Sequence, residues 1–335
     1  MIKAVKKLVP KSLKLFYKLQ RSKKSVLTDF IYDYKRYVRF SGTAALNKQD
    51  HMKAFLIKEY HAIEKGLALR HPKPGFGTAR ISRLIDVLKT YLDKFNADAT
   101  TDITLSALEQ YLDFNNGFNI DSSSNLDEIR KLLAKNKDRS SDNLGGIKSV
   151  SRSDIFSAVN FDYSNFVKSR FSTRDFSDVK VSNDLLLQAI DDARYTPSVC
   201  NRQAWKVYVV DSDNSLLRDK FLSVQNGNRG FGEYISSLLV ITGKLSSFFD
   251  YERNQVFVDG GMFSMSLLLA LHAKGLGTCC LNTSYTAERN EEFKKVIDID
   301  EDSVPIMFIA VGHLKESYNV AISQRKPIDE IVTIL

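Results

Sequence analysis

One polar segment divides this chain into two halves with different hydrophobic patterns. The stretch NKDRSSDNLGGIKSVSRSD is rich in Ser, Gly and charged residues and nearly free of large apolar ones. Before it, apolar residues recur at helical spacing, as in KAFLIKEYHAIEKGLAL, and no β-rich run interrupts them. The sequence therefore predicts a small all-helical domain over residues 25–136, a linker over 137–154 and a second domain over 155–335.

The second half predicts an α+β fold. Four short apolar runs are typical of strands: WKVYVVD, ISSLLVITG, GTCCLN and VPIMFIAVGHL. VSNDLLLQAIDDARY and the long apolar stretch NQVFVDGGMFSMSLLLALHAKG predict helices. Because strands and helices do not alternate strictly, we expect α+β rather than a doubly wound parallel sheet. No run of 18 or more uninterrupted apolar residues occurs, so the sequence predicts no transmembrane helix.

The net charge of +8 comes from the first 24 residues. This segment carries nine Lys/Arg and no acidic residue, which leaves 39 basic against 40 acidic residues in the rest of the chain. Its apolar residues fall on one helical face: Ile2, Val5, Leu8, Val9, Leu13, Phe16 and Leu19. A basic amphipathic arm of this kind, residues 1–24, can contact a membrane surface peripherally or pack its apolar face on the protein. No basic patch interleaved with aromatic residues follows it, so we expect no nucleic-acid binding.

The sequence lacks motifs that would by themselves identify a nucleotide-binding or metal-dependent catalytic site. There is no Walker A motif, and GNRGFG lacks the spacing and the strand–helix frame of a dinucleotide-binding fingerprint. His61 and Glu64 share a helix face, but two ligands do not make a metal site, so we expect none. Three Cys, two of them adjacent, form a poor disulfide framework and favour a reducing, cytoplasmic setting. If the protein is an enzyme, we expect a cofactor to supply the reactive atom.

The stretch SRFSTRDF contains candidate anion ligands. Arg170, Ser172 and Arg174 alternate, so in extended backbone they point the same way. Two guanidinium groups flanking a hydroxyl suit a phosphate monoester and a second anionic group, although a polar surface stretch has the same composition. Near the end of the chain, SQRKP repeats the Ser-x-Arg pattern with Ser323 and Arg325. These two residues are candidates for the same phosphate.

Several motifs together resemble the FMN-dependent nitroreductase family. SRFSTRDFSDVKVSNDLLLQAIDDARYTPSVCNRQAWKVYVV resembles the opening of its domain, and AKGLGTCCLN resembles its Gly-Leu-Gly-x-Cys segment. PIMFIAVGHLKES and SQRKPIDEI resemble its C-terminal strand and basic phosphate contact. The motifs occur in the family's order over about 165 residues. In the first half, YHAIEKGLALRHPKPGFG resembles the helical extension of some bacterial members found near polysaccharide-synthesis genes.

The resemblance implies an architecture and a cofactor. It implies a mixed sheet flanked by helices and an intertwined homodimer with two FMN sites at the subunit interface. Arg170, Ser172 and Arg325 would hold the FMN phosphate, with Ser323 beside them. Arg174 would lie near N1 and the C2 carbonyl of the flavin ring, where reduction deposits negative charge that a cation stabilises.

The resemblance also implies which residues surround the flavin ring. Pro197, Ser198 and Asn201 would reach the flavin of the other subunit. The remaining contacts would come from Cys280, Leu281 and Asn282 on one face of the ring and from Asn228 at its polar edge. Where some members carry Glu-Gly, this chain has Asn282 and Thr283. That difference beside N5 bears on the substrate more than on the cofactor.

The implied activity is a relay of hydride from NADH or NADPH through flavin N5 to a small organic acceptor. The acceptor would be nitroaromatic or quinone-like, and no protein nucleophile is required. Two alternatives remain open. One is another FMN-dependent reaction of the same fold, such as azoline dehydrogenation, reductive dehalogenation or flavin fragmentation. The other is a non-catalytic flavin-binding scaffold whose helical half recruits a partner, for example in polysaccharide synthesis.

Overall fold

The computed structural model describes residues 10–42, 46–118, 123–137, 139 and 144–335. Residues 1–9 of the predicted basic arm lie outside the described residues. The first helix, α1, spans Lys11–Phe40 and passes through the predicted boundary at residues 24 and 25 without a break. Neither Pro nor Gly occurs between its ends, so nothing in the sequence stops the helix at that boundary.

Four helices of the first half enclose a core of their own. They are α2 (Gln49–Leu67), α3 (Thr78–Lys94), α4 (Ala99–Asn115) and α5 (Ser123–Lys135). Leu56, Leu84 and Leu108, from three of these helices, are fully buried in this core. Asp98 begins α4 by accepting a hydrogen bond from the Thr100 N–H at 2.9 Å, while its own N–H donates to Thr101 Oγ1 at 3.0 Å. This capping box satisfies N–H groups that a helix start leaves unpaired.

The described part of the predicted linker is attached to the helical half. The Gly145 carbonyl accepts hydrogen bonds from Ser106 Oγ and Gln110 Nε2, each at 3.2 Å. The Gly146 N–H donates to Glu64 Oε1 at 3.0 Å. Two short helices follow, α6 (Arg152–Ala158) and α7 (Tyr163–Lys168), so α6 begins inside the predicted linker.

The second half has the predicted α+β fold, built on one antiparallel sheet. Its strands are β1 (Trp205–Val210), β2 (Ser237–Lys244), β3 (Leu276–Leu281) and β4 (Ser303–His313), in the order β1-β2-β4-β3. All four predicted strands are present. The central strand β4 contains Pro305, which cannot donate a ladder hydrogen bond. The register between β2 and β4 shifts next to it, between Ile241 and Thr242.

Helices cover both faces of the sheet, because successive side chains along each strand point to opposite faces and each face carries apolar residues. On β2, Leu239 and Ile241 face one core, whereas Leu238 and Val240 face the other. The first core is closed by α8 (Asn183–Ala193) and α10 (Gln255–Ala273), and the second by α9 (Ser215–Ser223) and α11 (Ala287–Lys294). Trp205 stacks on Phe263 of α10 with ring centroids 4.7 Å apart.

The end of α1 belongs to the first of these cores. Tyr37 and Phe40 pack against it, and the Tyr37 hydroxyl donates to the Phe249 carbonyl. Just beyond the helix, the Gly42 N–H donates to the Phe248 carbonyl at 2.8 Å. The second half of the chain is therefore completed by residues that precede the helical domain.

Within the part of the chain that is described, α10 is the one helix long and apolar enough to cross a membrane by length and composition, with a mean hydropathy of 1.5. Core helices of globular proteins share these properties, and α10 buries Leu267 and Leu271 against the sheet. Its other face exposes four large apolar side chains: Phe257, Val258, Met262 and Met265. A large exposed apolar face of this kind indicates a surface that meets a partner.

Candidate functional site

The segment that carries the predicted arginines lies along the β3 edge of the sheet. Ser172 forms an isolated parallel bridge with Thr278, and the Thr173 N–H donates to the Thr278 carbonyl at 2.8 Å. Four residues later, Phe176 forms an antiparallel bridge with Leu314. We call residues 170–176 the arginine segment. Its position is fixed from both ends by backbone pairing.

Two glycines allow the arginine segment to approach the sheet. Gly277 of β3 and Gly312 of β4 are directly paired in the sheet register. A Cβ at Gly312 would lie 2.6 Å from the ring of Phe176, and one at Gly277 would lie 2.7 Å from Leu314. Larger residues at either position would push the segment away from β3, since real Cβ atoms do not come this close to their neighbours.

Arg170 and Arg174 act electrostatically on the cysteines of β3. Burial raises the pKa of the Cys279 thiol, and the positive charges of Arg174 and Arg170 oppose that shift. Burial also raises the pKa of Cys280, to about 11; Cys279 adds to the shift and Arg170 opposes it. The Cys280 side chain is nevertheless exposed at the surface of β3.

The two guanidinium groups are free for a ligand. Among the described residues, neither Arg170 nor Arg174 forms an ion pair with a carboxylate; Arg174 Nη1 contacts only the Ser172 carbonyl, at 3.4 Å. Guanidinium groups form their strongest hydrogen bonds with carboxylates and phosphates. Two unpaired cations beside an exposed β3 residue fit an anionic ligand.

The other residues predicted to contact the flavin ring, Leu281, Asn282 and Asn228, differ in the direction of their side chains. Leu281 points to the opposite face of β3 and is buried in the core with Phe308, so only its backbone is available to a ligand. Asn282 is exposed, and its carbonyl accepts a hydrogen bond from Gln225 Nε2 at 3.0 Å. Asn228 uses its amide to bind the Leu222 carbonyl at 2.8 Å and Gln225 Oε1 at 3.2 Å. Asn228 therefore holds a loop that contacts Asn282, and its amide nitrogen already has partners.

The predicted corner before β1 is strained. We call residues 197–203 the corner. Cys200, Asn201 and Gln203 all have positive φ, at 49°, 54° and 48°. This conformation costs a non-glycine residue about 1–2 kcal/mol. Pro197 and Asn201 are exposed at the surface, while the half-buried Ser198 Oγ accepts the Gln203 N–H at 3.0 Å.

A buried ion pair that sequence reasoning missed holds the corner. The Arg202 side chain is 0% exposed and binds Glu252 with two hydrogen bonds of 2.8 and 2.6 Å. Its other donors bind the Val199 carbonyl at 3.2 Å and the Ser247 carbonyl at 2.8 Å. Bidentate pairing of this kind fixes geometry as well as energy, so Arg202 offsets the strain of its neighbours.

The C-terminal candidates remain apart from the arginine segment. Ser323 and Arg325 lie in an exposed tail, and Arg325 Nη1 donates to the Ser323 carbonyl. In the described chain neither makes a hydrogen bond to Arg170 or Ser172. Ser323 has φ of 46°, and the four described non-glycine residues with positive φ are this one and the three of the corner. Such strain concentrates at functional sites, which supports both segments as candidates.

The arginine segment and the corner lie at opposite edges of the sheet. The arginine segment pairs with β3, whereas the corner leads into β1, and β2 and β4 lie between these strands. Within one chain the two predicted groups of residues therefore do not form a single pocket.

The histidine and the two carboxylates of the helical half that were considered as metal ligands are engaged in pairs within the protein. His61 Nδ1 lies 3.0 Å from Glu64 Oε2, and Glu59 forms an ion pair with Arg80 at 2.8 Å. The described residues contain no group of three His, Cys, Asp or Glu side chains that could hold a metal ion.

Comparisons with known proteins identify the second half. Residues 167–239 and 250–313 match the model of the Nitroreductase family. The Bacillus subtilis protein YodC, named as an NAD(P)H nitroreductase, is 25% identical over 203 residues, which cover 50% of this chain and 96% of YodC. A CLA biosynthesis enone reductase of Lactiplantibacillus plantarum is 32% identical over 107 residues, covering 31% of this chain and 49% of that protein.

One similar solved structure is that of a Desulfovibrio desulfuricans protein named as a nitroreductase and crystallised in complex with FMN. It shares 18% identity with a TM-score of 0.46 and covers 53% of this chain and 98% of its own. The family match includes the arginine segment, the corner, β1, β3, β4 and the first three residues of β2. The second half of this chain therefore matches the model of the nitroreductase family and is similar to proteins named as nitroreductases.

Proposed function

We propose that the surface formed by the arginine segment and the exposed Cys280 of β3 binds FMN and that the protein is an FMN-dependent NAD(P)H oxidoreductase. The observation that carries the proposal is the pair of unpaired guanidinium groups, Arg170 and Arg174, next to the exposed Cys280. Bound FMN would take hydride from NADH or NADPH and pass it to a small organic acceptor. The match to the Nitroreductase family model and the FMN-bound Desulfovibrio structure support this assignment.

The chain's own residues would bind and orient the cofactor. Arg170 and Ser172 would hold the phosphate, since a guanidinium and a hydroxyl supply directed donors to its oxygens. Arg174 would stabilise negative charge at the ring edge near N1 and the C2 carbonyl. Cys280 and the backbone of Leu281 would contact one ring face. Asn282 and the loop held by Asn228 would close the polar side.

We propose a small-molecule acceptor that is nitroaromatic, quinone-like or an enone. The first two classes follow from the family, and YodC is named as an NAD(P)H nitroreductase. We include an enone among the acceptors because the Lactiplantibacillus plantarum relative is named an enone reductase. These acceptors share an electron-poor site that can take hydride.

The proposed active form is a homodimer. The tail after His313 is almost entirely exposed and carries large apolar side chains, among them Ile322 at 84% and Ile334 at 93% exposure. The exposed face of α10 is also apolar. A second copy would cover both surfaces. It would also bring the corner of one subunit to the arginine segment of the other, together with Ser323 and Arg325.

The cofactor test is the absorption spectrum of the purified protein, followed by anaerobic titration with NADH and with NADPH. We expect an FMN spectrum that bleaches with one or both nucleotides. Arg174→Ala should lose FMN, whereas the control Arg194→Ala should keep it, since Arg194 is exposed and paired with Asp191. A colourless protein that takes up no added FMN would overturn the proposal.

The dimer test uses two variants that damage different parts of the site. Arg174→Ala removes the arginine segment's contact, and Ser198→Ala/Asn201→Ala removes the corner's contacts. Mixed and reassembled, the two proteins should regain up to about a quarter of the FMN sites, because each heterodimer restores one intact site. As a control, a protein that carries all three substitutions and is treated in the same way should regain no FMN sites. No recovery in the mixture would show that the corner does not serve the partner's flavin.

Two alternatives predict different results in the same assays. A different FMN-dependent enzyme of this fold would hold FMN but would not be reduced rapidly by either nicotinamide nucleotide. A non-catalytic scaffold would hold FMN and show no turnover with any acceptor. The three free cysteines support a proposed cytoplasmic location.

A further inference from the structure

Helix α1 is docked on the second half of the chain by one of its faces. The Ala287 N–H donates to Asp29 Oδ1 at 2.8 Å, and the Tyr32 hydroxyl donates to Glu291 Oε1 at 2.6 Å. One turn later, Arg36 Nη1 contacts Asn290 Oδ1 at 3.4 Å. These contacts repeat at helical spacing and attach the face to α11, from its first residue onward. The orientation of α1 is therefore fixed over its last three turns.

The neighbouring face of α1 is apolar and exposed. Its exposed side chains are Leu15, Leu19, Val26, Leu27, Phe30, Ile31, Tyr34 and Val38, with Leu27 at 60% and Phe30 at 69% exposure. At 3.6 residues per turn they lie on one side of the helix. We call these eight residues the α1 stripe. A contiguous apolar surface of this length is not expected to face water alone.

The charge along the first part of α1, up to Thr28, has a single sign. From Pro10 to Thr28 every charged residue is a cation: Lys11, Lys14, Lys18, Arg21, Lys23 and Lys24. The first acidic residue is Asp29, which already accepts the Ala287 N–H. Two copies of such a helix would repel each other, whereas an anionic lipid surface attracts the cations and accepts the apolar side chains. Charge complementarity therefore favours a membrane over a second α1.

We propose that α1 lies in the plane of an anionic membrane surface, with the α1 stripe inserted between the lipid headgroups. Phe30 and Tyr34 would be aromatic anchors at the depth that such side chains prefer. Lys23, which lies within the side of the helix that carries the stripe, and Lys24, at its edge, would contact anionic headgroups. Because the other face of α1 is docked on α11, binding holds the nitroreductase-family half against the membrane surface.

The test is co-sedimentation of the full-length protein with vesicles of phosphatidylcholine alone and of phosphatidylcholine mixed with phosphatidylglycerol. We expect binding to the mixed vesicles, weak binding to the neutral ones and a loss of binding in high salt. Leu27→Glu/Phe30→Glu should weaken binding at least about tenfold. Leu216→Glu is the matched control, since Leu216 is 79% exposed on α9, away from the stripe.

Three outcomes would overturn the proposal. The first is failure of the wild-type protein to sediment with anionic vesicles at low salt. The second is equal loss of binding in the Leu216→Glu control. The third is a change of oligomeric state in Leu27→Glu/Phe30→Glu with unchanged vesicle binding, which would assign the α1 stripe to a second copy or an acidic protein. Circular dichroism and thermal melting of each variant check that it is folded.

Discussion

Arg202 and Arg170 are two arginines of one domain with different surroundings and different roles. Arg202 of the corner is fully buried, and its donors bind Glu252 and two carbonyl groups. Arg170 of the arginine segment is half-buried and has no carboxylate partner in the described part of the chain. A saturated guanidinium fixes a strained backbone, whereas an unsaturated one retains donors for a ligand. The corner and the arginine segment should therefore respond differently to mutation.

The largest effect is expected at the buried ion pair. Glu252→Ala leaves the Arg202 charge buried without a counterion and should lower the free energy of unfolding by about 3–5 kcal/mol. Urea denaturation monitored by Trp205 fluorescence measures this change. The control is Arg202→Met/Glu252→Met, which removes both charges and should be less destabilised than Glu252→Ala. If the single and double variants are equally unstable, the pair does not hold the corner.

A smaller loss of stability is expected where the arginine segment approaches the sheet. Gly312→Ala places a Cβ 2.6 Å from the Phe176 ring and should cost about 1–3 kcal/mol. Combining it with Phe176→Leu should give less destabilisation than the sum of the two changes, because the smaller side chain relieves the overlap. Urea denaturation of the four proteins in this cycle measures the coupling. Additive effects would mean that the segment does not depend on this close approach.

Arg170→Ala should weaken FMN binding while leaving the free energy of unfolding nearly unchanged. We expect the free energy of unfolding to change by less than about 0.5 kcal/mol, since no ion pair is lost. The dissociation constant for FMN should rise about 10- to 100-fold, as for the loss of a hydrogen bond to a charged group. Fluorescence titration with FMN measures the second quantity. A strongly destabilised variant with normal FMN affinity would reverse the roles assigned to the two arginines.

The smallest effect concerns the reactivity of Cys280. Its pKa is raised to about 11, so the thiolate fraction and the alkylation rate should rise about tenfold per pH unit between pH 7 and pH 10. Arg170→Ala removes an opposing positive charge and should slow alkylation further. Iodoacetamide labelling followed by peptide mass spectrometry measures the rate, and Cys280→Ser identifies the labelled site. Labelling at a rate independent of pH would contradict this environment for Cys280.

Local pattern was sufficient to predict the fold class of the second half but not its long-range contacts. Apolar runs predicted all four strands because burial on both faces leaves a strong signal in the sequence. Arg202 was missed because its partner Glu252 is 50 residues away, and a lone Arg between Asn and Gln resembles a surface residue. Leu281 could have been oriented correctly, since it must point opposite to Cys280 in a strand.

The helix boundary in the first half shows a second limit. The charge composition changes at residue 24, whereas α1 continues to Phe40 because nothing in its backbone sequence ends it. Composition therefore located the basic segment but not the structural unit that contains it. Periodicity also does not encode the separation of Ser323 and Arg325 from the arginine segment.

The packing of Tyr37 and Phe40 into the core of the second half has a consequence for the covalent chain. A protease that cleaves after the exposed Lys148 would produce an N-terminal fragment carrying α1 and a C-terminal fragment carrying the sheet. The two fragments should stay together through purification, because separating them would expose apolar core to water. Gene truncation at the same position would remove that contact entirely. We therefore expect a stable form of the second half to need the segment with Tyr37 and Phe40 from the opposite end of the polypeptide.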